Sequence, residues 1–267
     1  MAPRTRKRFG QHFLESVWGD KVAEAIAPSP GDVFLEIGPG SGILTLKLAP
    51  KVARLIAIEI DRDLIASLTP RLPSNATIVA GDVLDLDLDA ALPPADTPIR
   101  VAGNLPYNIS SPILFRLLEL ESRRRITDAT LMLQREVADR IVARPGTAEY
   151  GVLSILTQWR ADVVRLLAIP PGAFRPPPEV RSALIRLTFR PPAFELRDAA
   201  LFERMVRSMF TQRRKTLGNA LGAFAVERGV DVNRALADAG VDPRRRPETL
   251  EVIETARLAD IFATGGS

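Results

Sequence analysis

Asn104-Leu105-Pro106-Tyr107 is a run whose residue types and order could do chemistry. An Asn carbonyl oxygen, a Pro that stiffens the loop and an aromatic ring can together hold a planar base by its amino group. The run follows Ile99 to Gly103, an apolar stretch that reads as a buried strand, so it sits where that strand would end. The plainer reading is a Pro-containing turn with Tyr107 as packing. A second aromatic, Phe174 in Phe174-Arg175-Pro176-Pro177-Pro178, could wall the base from the other side, since a base taken out of its stack needs a slot. Its plainer reading is a hydrophobic plug on a loop.

Glu36-Ile37-Gly38-Pro39-Gly40-Ser41-Gly42 ends an earlier apolar run. Glycines at alternate positions let backbone approach a ligand closely. The spacing is Gly-x-Gly-x-Gly, not the Gly-x-Gly-x-x-Gly of a dinucleotide site. Glu36, two places before the turn, is awkward for a pyrophosphate and compatible with a cationic ligand. Glu59 closes the next apolar run, where a carboxylate can accept both ribose hydroxyls. Asp82, in Gly81-Asp82-Val83, follows the third, where it could accept an adenine amino group. Taken singly, Glu59 could instead cap a helix and Asp82 could make an Asx-turn.

These residues need strands to hold them. Val33-Ile37, Leu55-Ile60, Thr77-Ala80, Ile99-Ala102, Ala129-Leu133, Val163-Ile169 and Ala183-Phe189 read as strands, being short, rich in Val, Ile and Leu, and bounded by Gly, Pro or Asp. Asp63-Leu72, Ser110-Leu120 and Arg135-Val142 have helical spacing. The alternation predicts an α/β fold with a parallel sheet covered by helices on both faces. Ligands in such sheets bind at the carboxyl ends of the strands, so the Gly-rich turn, Glu59 and Asp82 would converge. Pro191-Pro192 marks a linker, and Leu196 to Ala263 reads as helices, with Asp198 and Asp231 as N-caps and Gly229 and Gly240 as stops. The expected domains are therefore 1–190, with a basic segment 1–15, and a small helical domain 191–267.

Composition narrows the chemistry. The chain of 267 residues has no Cys and one His, which removes disulfides, zinc–cysteine sites and zinc-dependent deamination, and leaves almost no His general base. No apolar run approaches the roughly 20 residues of a membrane span, and Met1 to Arg8 lacks the apolar stretch of a secretory signal. A cytoplasmic monomer that uses no metal is the expectation. The net charge of +4 is modest, but the cations cluster at Arg4-Arg6-Lys7-Arg8, Arg123-Arg124-Arg125, Arg213-Arg214-Lys215 and Arg244-Arg245-Arg246. Such clusters are often solvated faces. Four of them, beside a base-gripping motif, point to a nucleic-acid partner.

The Gly-rich turn with its three acids resembles the class I S-adenosylmethionine-dependent methyltransferases, whose cofactor is a sulfonium without phosphate. On that reading the tetrapeptide has a job. The amino group of adenine is a poor nucleophile because its lone pair is delocalised into the ring. Asn104 Oδ1 and the Leu105 carbonyl are suited to grip its hydrogens and aim the lone pair at the methyl group, with Tyr107 as the stacking face. Attack on a sulfonium generates a labile N–H acid, so no strong base is required.

Longer motifs carry a closer resemblance over nearly the whole chain. They are Phe9-Gly10-Gln11-His12-Phe13-Leu14, the Gly-rich run, Glu59-Ile60-Asp61, Gly81-Asp82-Val83-Leu84, Asn104 to Pro112, Phe174 to Val180, and Phe210-Thr211-Gln212-Arg213-Arg214-Lys215-Thr216-Leu217. With these the chain resembles the bacterial small-subunit (16S) ribosomal RNA adenine dimethyltransferases. The resemblance implies a Rossmann-like catalytic domain with S-adenosylmethionine as cofactor, followed by a helical domain. It implies transfer of two methyl groups to each of two adjacent adenosines near the 3′ end of 16S rRNA, in a late assembly intermediate of the small subunit. By matching positions, His12 and Leu14 would touch the methionine end of the cofactor and Gly38 and Gly40 would cradle its backbone. Glu59, with Ile60 beside it, would hold the ribose, and Asp82 and Val83 the adenine. Asn104 would stand between cofactor and target, with Leu105, Pro106, Tyr107 and Phe174 around the base. Arg6, Lys7, Arg8, Arg213, Arg214 and Lys215 would meet RNA. The chain departs from the family at His12, where Asn is common, and at Gly218, where a basic residue often continues the run.

Three rivals stand beside this reading. A large-subunit rRNA adenine methyltransferase of the antibiotic-resistance type shares the chemistry and differs in target; Asn104 to Ser111 and Arg213 to Leu217 favour the small-subunit type. A non-catalytic assembly or binding factor on the same fold has no need of an intact Asn104-to-Tyr107 run. An NAD-type dehydrogenase leaves Asp82, that run and the Arg clusters without a role.

Overall fold

Each of the seven apolar runs forms a strand. The structure, a computed structural model, describes residues 12–122 and 125–265. The chain enters through β1 (Phe13–Leu14) and α1 (Ser16–Ile26), then β2 (Val33–Ile37), α2 (Thr45–Leu48), β3 (Arg54–Glu59), α3 (Arg62–Leu68), β4 (Ala76–Ala80) and α4 (Leu88–Ala91). It continues through β5 (Ile99–Asn104), α5 (Ser110–Glu121), β6 (Ile126–Gln134), α6 (Arg135–Val142), α7 (Val152–Gln158), β7 (Ala161–Ile169), β8 (Phe174–Arg175) and β9 (Ser182–Phe189). Helices α8 (Ala199–Thr211), α9 (Leu217–Ala220), α10 (Gly222–Arg228), α11 (Val232–Asp238) and α12 (Val252–Thr264) complete it.

The main sheet runs β4-β3-β2-β5-β6-β9-β7. Strands β4, β3, β2, β5 and β6 pair parallel in that order, with a helix between each two that are consecutive in the chain. The expected all-parallel sheet is not what forms: β9 lies antiparallel to β6, from Asp128↔Thr188 to Gln134↔Ser182. No α-helix lies between Ile169 and Ser182. Without a helical crossover the chain reverses, and a reversing strand pairs antiparallel. The order turns around at β2, which lies between β3 and β5. That switch point is where open α/β sheets bind ligands.

Packing follows the pleat. Phe34 points to a buried cluster with Val22, Ala23 and Ile26 of α1, Leu44, Leu48, Leu55 and Met132. Glu36 falls on the same face two residues on, and its register partners are small, Ala57 and Ala102. Arg100 fastens the lower edge of this layer. Its guanidinium donates to Asp128 at 2.7 Å, to Asp32 at 2.7 Å, and to the Ile26 and Ala27 carbonyls at the end of α1. Burial opposes the Arg100 charge, but the two carboxylates hold its pKa above the usual value.

The chain forms two compact units. One comprises residues 12–138 and Asp162–Phe189, the other Asp139–Ala161 and residues 190–265. The helical unit is thus larger than the segment beyond Pro191-Pro192, because 139–161 pack with it. Tyr150, fully buried, donates its hydroxyl to the Leu250 carbonyl at 2.9 Å, and Trp159 packs on Phe202. No strand signal or proline break separates 139–161 from what precedes it, so only packing assigns it. Within this unit Asp198 and Asp231 cap α8 and α11 through their side chains, and Gly229 and Gly240 take left-handed conformations past α10 and α11.

Candidate active site

The Gly-rich turn leaves β2 at the switch point with Gly38, Gly40 and Gly42 at φ of 68°, 56° and 82°. A side chain at Gly40 would meet the Phe13 ring at 3.3 Å, and one at Gly42 would collide with Leu68. The turn is held from β3. Glu59 Oε2 accepts from the Gly40 N–H at 3.1 Å, and Oε1 accepts from Ile60 and Asp61 at 2.9 and 3.0 Å. Burial pushes the Glu59 pKa up, opposed by those three backbone donors. The helix-capping role falls instead to Asp61, which accepts from Asp63 at the start of α3. Asp82 does make the Asx-turn, with Oδ1 accepting from Leu84 at 2.9 Å, and it still lines the cavity that Glu59 lines.

Across the cavity, β5 delivers Asn104. Its close approach to β2 needs Gly103, where a Cβ would stand 2.7 Å from the Ile37 carbonyl oxygen. Asn104 Nδ2 donates to the His12 carbonyl at 3.0 Å, which orients the amide and makes Oδ1 the atom able to accept from a ligand. The Leu105 N–H donates to Met132 of β6 at 3.1 Å, fixing the loop at its first residue. The Tyr107 hydroxyl lies 2.6 Å from Ser182 Oγ of β9, and burial raises its pKa against that hydrogen bond. Beneath the turn, Glu36 is 1% exposed. Burial pushes its pKa up to about 7, with a smaller contribution from Glu59 and with Thr45 opposing. Among the described residues, Glu36 Oε2 has no hydrogen-bond partner.

One cavity therefore gathers His12, Gly38, Gly40, Glu59, Ile60, Asp82, Val83 and all of Asn104 to Tyr107. It does not gather Leu14 or Phe174. Alternation along β1 puts Phe13 at the cavity and turns Leu14 inward, paired with Phe174 of β8. Phe174 is 0% exposed in the core cluster, so it is a plug rather than the opposite wall of a base slot. Phe13, Leu64 and Ile109 also line the cavity, and Ser182 holds the Tyr107 hydroxyl; none of these four roles was foreseen from the sequence. Phe13 lies within the Phe9-to-Leu14 motif, but nothing in the sequence pairs Ser182 with Tyr107, 75 positions away.

The basic runs divide as well. Arg213 is committed to Glu248 at 2.9 Å and to the Thr147 carbonyl, which leaves Arg214 and Lys215 as the exposed cations of that run. Arg245 makes a two-armed pair with Glu254. Arg6, Lys7, Arg8, Arg123 and Arg124 lie outside the described residues. Among the described residues no group of His, Asp or Glu could hold a metal, and no helix is long and apolar enough to cross a membrane.

The cavity's charge decides which nucleotide-like ligand fits. Two carboxylates line it, and among its described lining residues there is no Lys or Arg. Such a site opposes a pyrophosphate and suits ribose hydroxyls, an adenine amino group and a sulfonium. A sequence profile described as ribosomal RNA adenine dimethylase matches residues 2–264. The chain belongs to that family. It is 46% identical to the ribosomal RNA small subunit methyltransferase A of Syntrophotalea carbinolica, covering 98% of both chains. It is 43% identical to the protein of that name from Acinetobacter baylyi, over 96% of this chain and 92% of the other. Among solved structures, a dimethyladenosine transferase from Plasmodium falciparum aligns with a TM-score of 0.78 at 26% identity, over 92% and 96% of the two chains. The 23S rRNA methyltransferase ErmE aligns at 0.65 and 28%, over 94% and 100%. As a family member the protein is an α/β methyltransferase with a Rossmann-like sheet. Against the dehydrogenase reading stand the acid-lined cavity and the family.

Proposed function

We propose that the protein is an rRNA adenine dimethyltransferase. It takes methyl groups from S-adenosylmethionine and places them on the exocyclic amino groups of two adjacent adenosines near the 3′ end of 16S rRNA, during late assembly of the small subunit in the cytoplasm. The observation that carries this reading is Asn104, its amide oriented by His12 at the edge of a cavity lined by Glu59 and Asp82. The cofactor supplies a methyl group activated on a sulfonium sulfur. Gly38 and Gly40 let the backbone approach it, Glu59 accepts from the ribose while bracing the turn, and Asp82 with Val83 receives its adenine. Asn104 Oδ1 and the Leu105 carbonyl accept the two hydrogens of the target amino group, drawing its lone pair out of conjugation and toward the methyl carbon. Tyr107 stacks on the base, and Pro106 limits the loop's freedom. Arg214 and Lys215 meet phosphate, with Arg6, Lys7 and Arg8 as further candidates.

The small-subunit target is favoured over the large-subunit one by relatives matched nearly end to end under the small-subunit name. The test is methyl transfer to purified undermethylated small subunits, with mapping of the modified positions. Two dimethylated adjacent adenosines are expected; modification confined to large-subunit RNA would overturn the target.

A further inference from the structure

His12 is the single histidine of the chain, and its ring does more than its position in a cofactor motif requires. The imidazole stacks on Tyr107 with ring centroids 5.5 Å apart and planes inclined by 26°. Its Nδ1 lies 2.8 Å from the Pro176 carbonyl oxygen, so this nitrogen carries the proton and donates. Its own carbonyl accepts from Asn104. The phenol is pinned at the far end by Ser182 Oγ, on a residue 1% exposed. The ring of Tyr107 is thus fixed by a stack on one face and a hydrogen bond at its tip.

The spacing decides where a base can go. A base between the two rings would need two stacking distances of about 3.5 Å each, roughly 7 Å in all, and the ring centroids are only 5.5 Å apart. We propose that His12 is a positioning residue for the target base: with Ser182 it immobilises Tyr107 from behind, so that the base is received only on the opposite face of Tyr107. This deepens the methyltransferase reading and rests on it. It assigns the His12 side chain to the base side of the site, whereas the family resemblance assigns His12 to the cofactor. The two differ in what removal of the ring does. Loss of a positioning stack lowers turnover once cofactor is saturating; loss of a cofactor contact raises the cofactor's dissociation constant.

Four variants separate these. H12N keeps a hydrogen-bonding side chain without the ring, H12F keeps a ring without the hydrogen bond, H12A keeps neither, and S182A frees the phenol. With undermethylated small subunits and saturating S-adenosylmethionine, H12A, H12N and S182A are expected to lose about 2- to 12-fold in kcat, and H12F, which restores a ring, to recover part of the loss seen in H12A. Cofactor affinity by equilibrium dialysis should be unchanged in all four. A readout independent of activity is ¹⁹F NMR of protein labelled with fluorotyrosine, which has only Tyr107 and Tyr150 to report. The Tyr107 resonance should move in H12N and H12A, where the ring current is lost. If the resonance and kcat stay at wild-type values while cofactor affinity falls, the proposal is overturned. Failure of the wild-type protein to methylate small subunits would instead sink the functional reading, leaving the resonance to judge the stack.

Discussion

Replacing Glu36 by Gln should flatten a pH dependence of stability that the wild-type protein carries. Glu36 is enclosed between β2 and the α1–α2 layer, with Ala57 and Ala102 beside it and one oxygen without a partner among the described residues. Ionising it there costs more than in water, so its folded-state pKa lies at about 7, against an ordinary 4.5. The sign follows directly. Below the ordinary value both folded and unfolded chains hold the proton, and the contribution to stability is fully present. As pH rises toward 7 the unfolded chain releases the proton first, so stability falls, and above the folded-state value the loss is complete. At about 1.4 kcal/mol per pH unit the interval amounts to about 3 kcal/mol. Gln keeps the shape and cannot ionise; its unpaired amide adds a cost of roughly 1–3 kcal/mol that does not vary with pH. Denaturant unfolding of both proteins from about pH 4.5 to about pH 8, without cofactor, measures the gap between them. Cofactor is left out so that its binding does not add a stabilisation of its own. Glu59 titrates in both proteins and largely cancels in the difference. The stability of the wild type minus that of the variant should be most positive at low pH and fall by about 3 kcal/mol by the alkaline end, where the difference closes or reverses sign. A gap that does not change with pH would refute the reasoning.

Asn104→Ala removes the oriented acceptor and should lower kcat by about 100- to 1000-fold, while small subunits bind as before in a filter assay; a matching loss of binding would contradict a purely catalytic role. Arg100→Met leaves Asp32 and Asp128 without their cation and uncaps the end of α1, for a predicted loss of about 2–3 kcal/mol in denaturant unfolding. Gly42→Ala forces a side chain into Leu68 at positive φ, and a cost of about 1–3 kcal/mol is expected, read as a lowered Tm. Exchanging Arg214 and Lys215 for Ala should reduce the slope of log binding constant against log salt by about 1.5, whereas the same change at Arg213 should chiefly lower stability, because that guanidinium is already paired with Glu248.

Much of the protein is legible in the chain because local rules agree there. Short runs of Val, Ile and Leu between Gly, Pro and Asp become strands wherever a sheet can bury them, and all seven did. Asp198, Asp231, Gly229 and Gly240 work through their own backbone neighbourhood, so their effects are readable at short range. The convergence of Gly38, Gly40, Glu59, Asp82 and Asn104 also follows from chain order, since consecutive parallel strands present their ends on one side.

What sequence could not decide is whatever depends on distant partners. Phe174 and a stacking aromatic look alike in a Pro-rich loop, and only the β1–β8 pairing turns it into the core. The direction of β9, the membership of residues 139–161 in the helical unit, and the pairing of Arg213 with Glu248 each rest on where a remote segment packs. The same holds for the site's finest detail. Asn104 to Tyr107 reads as the proposed amino-group clamp, because the groups such a clamp needs stand in four adjacent residues. That Tyr107 has one face covered by His12 and its hydroxyl held by Ser182 is a fact of tertiary structure, set by chain segments 95 and 75 positions away.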